Sequence, residues 1–427
     1  MGIVQAQSFN LRWRVTIALC LGASLVLIVP HAVMAQRAGQ HPLAKKRGDI
    51  QRMLRRGTFE GNEQAEFDQY FSQYFMRLFS TKSPDARILP STRHQLRLFL
   101  TYGRQGTVYN RLVKMSMDEM KKIAVDKNAH PANRVNAILV LGMLKQSEPN
   151  GKPLSSTFPL LQYVVTSDRF PDDMKIAAMV GLVDIAQAEG GIPANKRDEF
   201  AGQMLAILNQ AEAPAGRSQG GHNWMRRCAG QILAEMGSPG PKNEVLAAFQ
   251  KIIADPSAGN TLRCELAECV GKLKFPEGAQ VDFATLSNLL GHQTVEICQR
   301  ELDQITIQQP PSRRLVVYAL ASALNGLQGP TGRSGLVEAA AGSPDADFVG
   351  TMRTKIKDAY SLVSDDEEVP DGSLKEMVGD MIADLRSILQ PKPEPEADAV
   401  AADSDKPAAE EPAEARAAAD GAATRGG

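Results

Sequence analysis

The chain of 427 residues is poor in aromatics, which make up 5% of it with only two Trp, and it has almost no net charge, with 48 Lys and Arg against 49 Asp and Glu. Near-neutral charge argues against a nucleic-acid binder held by a broad basic surface. No Cys-x-x-Cys occurs among the five cysteines, which excludes the usual zinc knuckles and ordinary c-type haem attachment. There is no phosphate loop with Gly-Lys-Ser/Thr, no His-Glu-x-x-His and no EF-hand loop. No Asn-x-Ser/Thr acceptor is present, which favours export from a bacterium over eukaryotic secretion. The six histidines include none at ligand spacing with another. No metal and no cofactor is therefore expected, and no catalytic residue is assigned.

No apolar run reaches the roughly 20 residues that a membrane span needs. The one that comes near is Val15 to Val29, which follows Arg12 and Arg14 and precedes Ala32-Val33-Met34-Ala35. That order is an export signal, with cleavage expected before Gln36. The expected location is the bacterial periplasm or cell envelope, with no stable membrane span after cleavage. Retention of residues 1–35 as an anchor is the other reading. Of the cysteines left after cleavage, Cys228, Cys264, Cys269 and Cys298, all read as buried small hydrophobes. A Cys228–Cys264 bridge between neighbouring helices is the alternative that an oxidising compartment permits.

What is there divides the chain. Residues 36–56 hold seven Lys and Arg against Asp49 alone, and residues 36–60 are read as a basic flexible leader. Residues 61–125 are read as aromatic-rich helices. Phe67, Tyr70, Phe71, Tyr74, Phe75 and Leu78 fall at i, i+3, i+4, i+7, i+8 and i+11, one helical face. That face is either an aromatic ligand groove or a large-residue core, and aromatic burial favours the core.

Residues 126–330 repeat a grammar. A turn with Pro or Gly ends in a small polar capping residue, then come Lys or Arg, Ala, and Leu or Gly at helical spacing. The five segments begin at Asn133, Asp173, Asn223, Asn260 and Ser312, at intervals of 40, 50, 37 and 52 residues. The first residues are expected to cap free N–H groups of the opening turn. Ala137, Ala178, Ala229, Ala267 and Ala319 are expected at close helix contacts. A second apolar run lies between segments, at 160–165, 200–208, 245–253 and 283–290. On these five segments the sequence resembles the HEAT-repeat, armadillo-like family. The resemblance implies an all-α, right-handed helical-hairpin solenoid that scaffolds another protein, and it carries no catalytic residues.

Arg134, Lys175, Arg226, Arg227, Arg263 and Arg313 recur near the helix starts. Two readings follow: a basic ladder that binds an acidic protein partner, or pairing between neighbouring hairpins. Gly216-Arg217-Ser218-Gln219-Gly220 matches Gly-x-Ser-x-Gly but lacks the preceding core strand that a nucleophile elbow requires. The loop 326–335 repeats Gly-Arg-Ser, and an anion site at Arg217 and Arg333 is the functional reading of the pair. Residues 331–390 are expected to close the array with two helices, 347–363 and 374–389, the latter opened by a Ser373/Glu376 capping box. Residues 391–427, with 13 Ala, 5 Pro and no aromatic, are expected to be disordered. The expected function is an exported interaction scaffold without catalysis and without nucleic acid. The alternatives are an enzyme or enzyme subunit with a pocket at the Gly-rich loops, and a structural cell-envelope protein.

Overall fold

The structure is a computed structural model and describes residues 41–82, 84, 87–276, 280–303, 313–330, 332–364 and 371–391. The expected export signal at residues 1–35, Ser312 and nearly all of the Ala/Pro-rich tail lie outside these residues. Among the described residues every regular element is a helix, apart from one isolated bridge between Lys145 and Pro153. None of these helices is long and apolar enough to cross a membrane.

The chain forms two compact units, Met1–Ala279 with Ala321–Ala339, and Gln280–Leu320 with Ala340–Gly427. The first unit opens with a 3₁₀ turn, Pro42–Lys46, that runs into α1 (Arg47–Arg56). Ile50, Met53 and Leu54 on α1 are buried, so residues 42–56 are not a flexible leader. The run of cations hides a short amphipathic helix whose three apolar residues sit on one face. α2 (Glu63–Tyr70) continues through a π turn, Phe71–Phe75, and a 3₁₀ turn, Met76–Phe79. Phe67, Tyr70, Phe71 and Phe75 are all buried. Phe99 of α3 (Ile88–Gly103) meets Tyr70, Phe71 and Phe75 edge-on, at ring separations of 6.2, 5.6 and 5.2 Å. The aromatic stripe is thus a packed core, in the edge-to-face geometry that ring quadrupoles favour.

Helical hairpins follow. α4 (Thr107–Val125) packs on α5 (Pro131–Met143), and α6 (Phe158–Thr166) packs on α7 (Asp172–Gln187). α8 (Arg197–Asn209) packs on α9 (Gln219–Met236), and α10 (Glu244–Ala254) on α11 (Asn260–Val270). The second helix of each pair also packs on the second helix of the next: α5 on α7, α7 on α9, and α9 on α11. Ala137, Ala178, Ala229 and Ala267 are fully buried on these helices, as close approach requires. The approach is closest at glycine. A Cβ on Gly181 would lie 2.6 Å from Gly142 Cα, and one on Gly230 would lie 2.3 Å from Leu266 Cδ2.

Helix starts differ from the sequence expectation. α5 begins at Pro131, with His130 Nδ1 accepting from Ala132 N–H, and α9 begins behind Ser218. Asn133 and Asn223 therefore sit inside helices, where they serve tertiary contacts. Asn133 Nδ2 donates to Thr81 O at 2.8 Å, and Asn223 Nδ2 to Ala258 O at 3.4 Å.

In the second unit, α12 (Phe283–Asp303) packs on both α15 (Ala346–Ser364) and α16 (Asp371–Ile388). The run at 283–290 thus belongs to a 21-residue helix that joins the C-terminal helices, and a boundary at 330 does not describe the structure. α16 starts at Asp371, two residues before Ser373, so the expected start at Leu374 is too late. α13 (Arg313–Gln328) gives its first half to the second unit and its second half to the first, and α14 (Gly335–Ala339) lies in the first.

Candidate functional site

The recurring cations occupy the joints between helices. A helix leaves its last four carbonyls without intrahelical partners and carries negative partial charge at that end. Arg134 on α5 donates Nε–H to Ala124 O at 3.2 Å, at the end of α4. Arg226 on α9 donates to Leu208 O of α8 at 2.9 Å, and Arg263 on α11 to Ile253 O of α10 at 2.8 Å. In the second unit, Arg313 donates to Val363 O of α15 at 2.9 Å. The acceptor each time is the penultimate residue of its helix. Lys175 on α7 takes the equivalent place beyond α6, with Nζ 3.8 Å from Asp168.

Arg226 is 4% exposed and Arg263 is 1% exposed, so neither belongs to a surface ladder. Arg227 pairs with the buried Glu265 at 3.3 Å, and Gln231 Nε2 donates to the same carboxylate at 2.5 Å, joining α9 to α11. Arg134 reaches 5.9 Å from the centroid of Phe170. Four of the six, Arg134, Arg226, Arg263 and Arg313, thus point to the end of a neighbouring helix, whereas Lys175 and Arg227 are held by the carboxylates of Asp168 and Glu265. The physical reason is economy of burial: a guanidinium at a helix start is within reach of carbonyls that must be satisfied.

The two Gly-Arg-Ser loops also close on the protein itself. Arg217 makes a two-pronged pair with Asp172 of α7, at 2.8 and 2.7 Å. That pairing holds the Asp172 carboxyl below its ordinary range. Ser218 Oγ accepts from Gly221 N–H at 3.1 Å and so caps α9, which is not the role of a nucleophile. Arg333 pairs with Glu235 at 3.2 Å, within a cluster where Lys272 lies 3.2 Å from Glu235 and 3.3 Å from Glu268. Burial alone would lower the Lys272 pKa, but Cys269, Glu268 and Glu235 raise it. Asp172, Glu235, Glu268 and Lys272 were not singled out in the sequence. Their partners are 4 to 98 residues away, and no local pattern marks them.

His222, in the first turn of α9, is fully buried beside Arg217. Arg217 Nη1 is 3.0 Å from His222 Nδ1, and His222 Nε2 is 2.7 Å from Gln210 O. The geometry requires a neutral ring, with Nδ1 accepting from the guanidinium and Nε2–H donating to the carbonyl. Burial lowers its pKa first, and Arg217 and Arg226 lower it further. Unfolding then takes up a proton below the ordinary histidine value of about 6.5. Stability contributed here is full above that value and is lost as pH falls from it toward the folded pKa. A thermal melt series is therefore expected to show the wild-type midpoint falling more steeply below pH ~6.5 than that of His222→Gln, which keeps an acceptor and a donor.

Cys228, Cys264, Cys269 and Cys298 are buried and unbridged, and burial pushes the Cys228 and Cys269 thiols up. Such thiols are poor nucleophiles at neutral pH. Among the described residues no group of three His, Cys, Asp or Glu is arranged to hold a metal ion. What the surface does offer is apolar. Leu139 and Met143 on α5, and Ile176 and Val183 on α7, are half-buried, and Val180 is 42% exposed. Met143 and Val180 are each next in sequence to the glycines of the Gly142–Gly181 crossing. No family model matches the chain, and neither a curated protein nor a solved structure matches it.

Proposed function

We propose that the chain is an exported α-solenoid of HEAT-like design that acts as a protein-interaction scaffold in the bacterial periplasm or cell envelope. The reading assigns no catalytic step. The register of its hairpins supports the architecture: α5, α7, α9 and α11 follow one another side by side, each backed by its own partner helix. The export reading rests on residues 1–35, where a basic segment, an apolar run and small residues occur in order.

The observation that carries the scaffold reading is the apolar strip beside the Gly142–Gly181 crossing. Its one exposed residue, Val180, is flanked by the half-buried Leu139, Met143, Ile176 and Val183, and grouped apolar side chains mark an interaction site more often than scattered single ones do. The neighbouring joints hold their cations internally, so the strip rather than an arginine ladder is the recognition surface. A partner is expected to bring apolar side chains to it.

Affinity capture from a native envelope fraction tests this with two baits. The wild-type protein is expected to enrich a defined partner, and Val180→Asp is expected to lose it while keeping the same thermal midpoint, because the site is open to solvent. Enrichment of the same partner by both baits, or of none by the wild type, would contradict the reading.

A further inference from the structure

The loop between α8 and α9 has little of its own to hold it in place. Residues 210–218 contribute no buried side chain, and all but Ala213 and Arg217 are exposed. Gln219 ties the loop to the first turn of α9, accepting from Ala213 N–H at 3.2 Å and donating to Ala211 O at 3.0 Å. Among the described residues, its hydrogen bonds to another hairpin all come from the Arg217 guanidinium, which grips both carboxylate oxygens of Asp172 at the start of α7. The same guanidinium meets His222 Nδ1, while His222 Nε2 meets Gln210 O. One buried imidazole therefore touches both ends of the loop.

The contact between Arg217 and His222 holds only while Nδ1 carries no proton, because a guanidinium donates and never accepts. Protonation sets two N–H donors and two positive charges 3.0 Å apart, and one side must move. α9 is fixed, with Met225, Cys228 and Ala229 buried and Arg226 bonded to Leu208 O. The loop has no such anchor, so the loop yields. The charges that act on the ring are Arg217 and Arg226, which oppose its protonation, and Asp172 of α7, which favours it. Behind them, Lys175 of α7 acts on Asp172, and Asp255 of the α10–α11 turn and Glu212 of the loop act on Arg226. α8 meets the ring's surroundings with its C-terminal end, at Leu208 O. Asp172 is not the trigger, since its pairing with Arg217 holds the carboxyl below its ordinary range.

We propose that His222 is an acid-operated latch, whose protonation releases the 210–218 loop from α7 while the hairpins stay stacked. The closed loop requires a neutral ring, whereas in the released loop the ring takes up a proton near its ordinary value of about 6.5. Acid therefore favours release, by almost nothing at pH ~7.5 and by at most about thirtyfold at pH ~5. The stack does not depend on the loop. α7 packs on both α5 and α9, and the buried Ala178 and Ala229 lie inside those helices, away from residues 210–218.

Amide hydrogen exchange of the full chain at pH ~7.5 and pH ~5, corrected for the intrinsic rate at each pH, is the test. The amides to follow are Ala213 and Arg217, which donate to Gln219 Oε1 and Pro214 O, with the buried Ile232 inside α9 as reference. In the wild type the two loop amides are expected to lose about tenfold or more of their protection at pH ~5. Their exchange is expected not to respond to low urea, as befits an opening that exposes little surface, whereas Ile232 follows the urea dependence of the whole unit. His222→Gln is expected to hold the loop alike at both pH values, and Arg217→Gln to leave it open at both. Circular dichroism melts show which variants are folded. Unchanged loop protection in the wild type at pH ~5 would overturn the proposal without recourse to any variant. So would an equal acid loss in folded His222→Gln, or full loop protection in folded Arg217→Gln. Loop exchange that rises with urea as steeply as that of Ile232 would overturn it in favour of unfolding of the whole unit.

Discussion

Replacing Gly181 by Ala is expected to destabilise the first unit by about 2 kcal/mol, whereas the same replacement at Gly202 is expected to stabilise it by up to about 1 kcal/mol. Both glycines are in helix interiors, and intrinsic propensity favours Ala at both. The difference is tertiary. A Cβ on Gly181 would meet Gly142 Cα at 2.6 Å and Leu161 Cδ1 at 3.1 Å, whereas one on Gly202 meets nothing within 4 Å. The Gly142 obstacle is backbone, so no rotamer change relieves it and α5 and α7 must separate. Separation forfeits contacts along both helices. The midpoint of thermal unfolding reads the sign directly, and a rise for both variants would mean that α5 and α7 do not cross at these residues. Gly181→Leu is expected to be worse than Gly181→Ala, because the strain grows with volume.

The second large effect is at Arg263. Its side chain is 1% exposed and its Nε–H donates to Ile253 O at 2.8 Å. Truncation to Ala leaves a cavity the size of a long side chain and strips the end of α10 of a charged donor, at a combined cost of about 3 kcal/mol. Arg263→Met fills most of the space and removes the buried charge together with its desolvation penalty. It is therefore expected to recover about half of the loss. Urea unfolding of the three proteins separates the contributions. An Ala variant as stable as the wild type would show that the guanidinium is not holding the α10–α11 joint. Arg227→Ala makes a useful companion, because it would leave Glu265 buried without its cation.

How the sequence foretells such a structure differs from residue to residue. The second helices were legible because Ala, Leu and Gly recur at helical spacing, and the buried Ala137, Ala178, Ala229 and Ala267 are the residues that spacing selected. The caps were not. Asn133 and Asn223 have the side chains that open helices, but each is needed to bond a backbone carbonyl of another segment, and His130 and Ser218 do the capping instead. α1 was hidden because its cations outnumber its three buried apolar residues, and composition weighs all positions equally while packing needs only one face.

The cations near the helix starts were visible as a recurrence, and their spacing was informative. Spacing alone does not say whether a guanidinium turns out to solvent or back to the preceding helix. The decision rests on the unsatisfied carbonyls of that helix, which belong to another stretch of chain. Arg217 is the extreme case. Its partner Asp172 is 45 residues earlier, and a glycine-rich loop that reads as a nucleophile elbow or an anion cradle is a brace between α7 and α9. Long-range pairing of this kind is what one sequence leaves unwritten.

The stacking of successive hairpins underlies the apolar strip, the arginine joints and the glycine crossings, and a cross-link measures it most directly. Gln162 on α6 donates Nε2–H to Gln203 Oε1 on α8 at 2.9 Å, at a half-buried position where the reagent has access. In Gln162→Cys/Gln203→Cys, a short bifunctional thiol reagent is expected to join the two sites within one chain, giving a single mass increment and no free thiol at either position. Cys228, Cys264, Cys269 and Cys298 are buried and are expected to stay unmodified under native conditions. A folded double variant in which each new thiol takes up its own reagent molecule, with no bridge formed, would contradict the stacked arrangement.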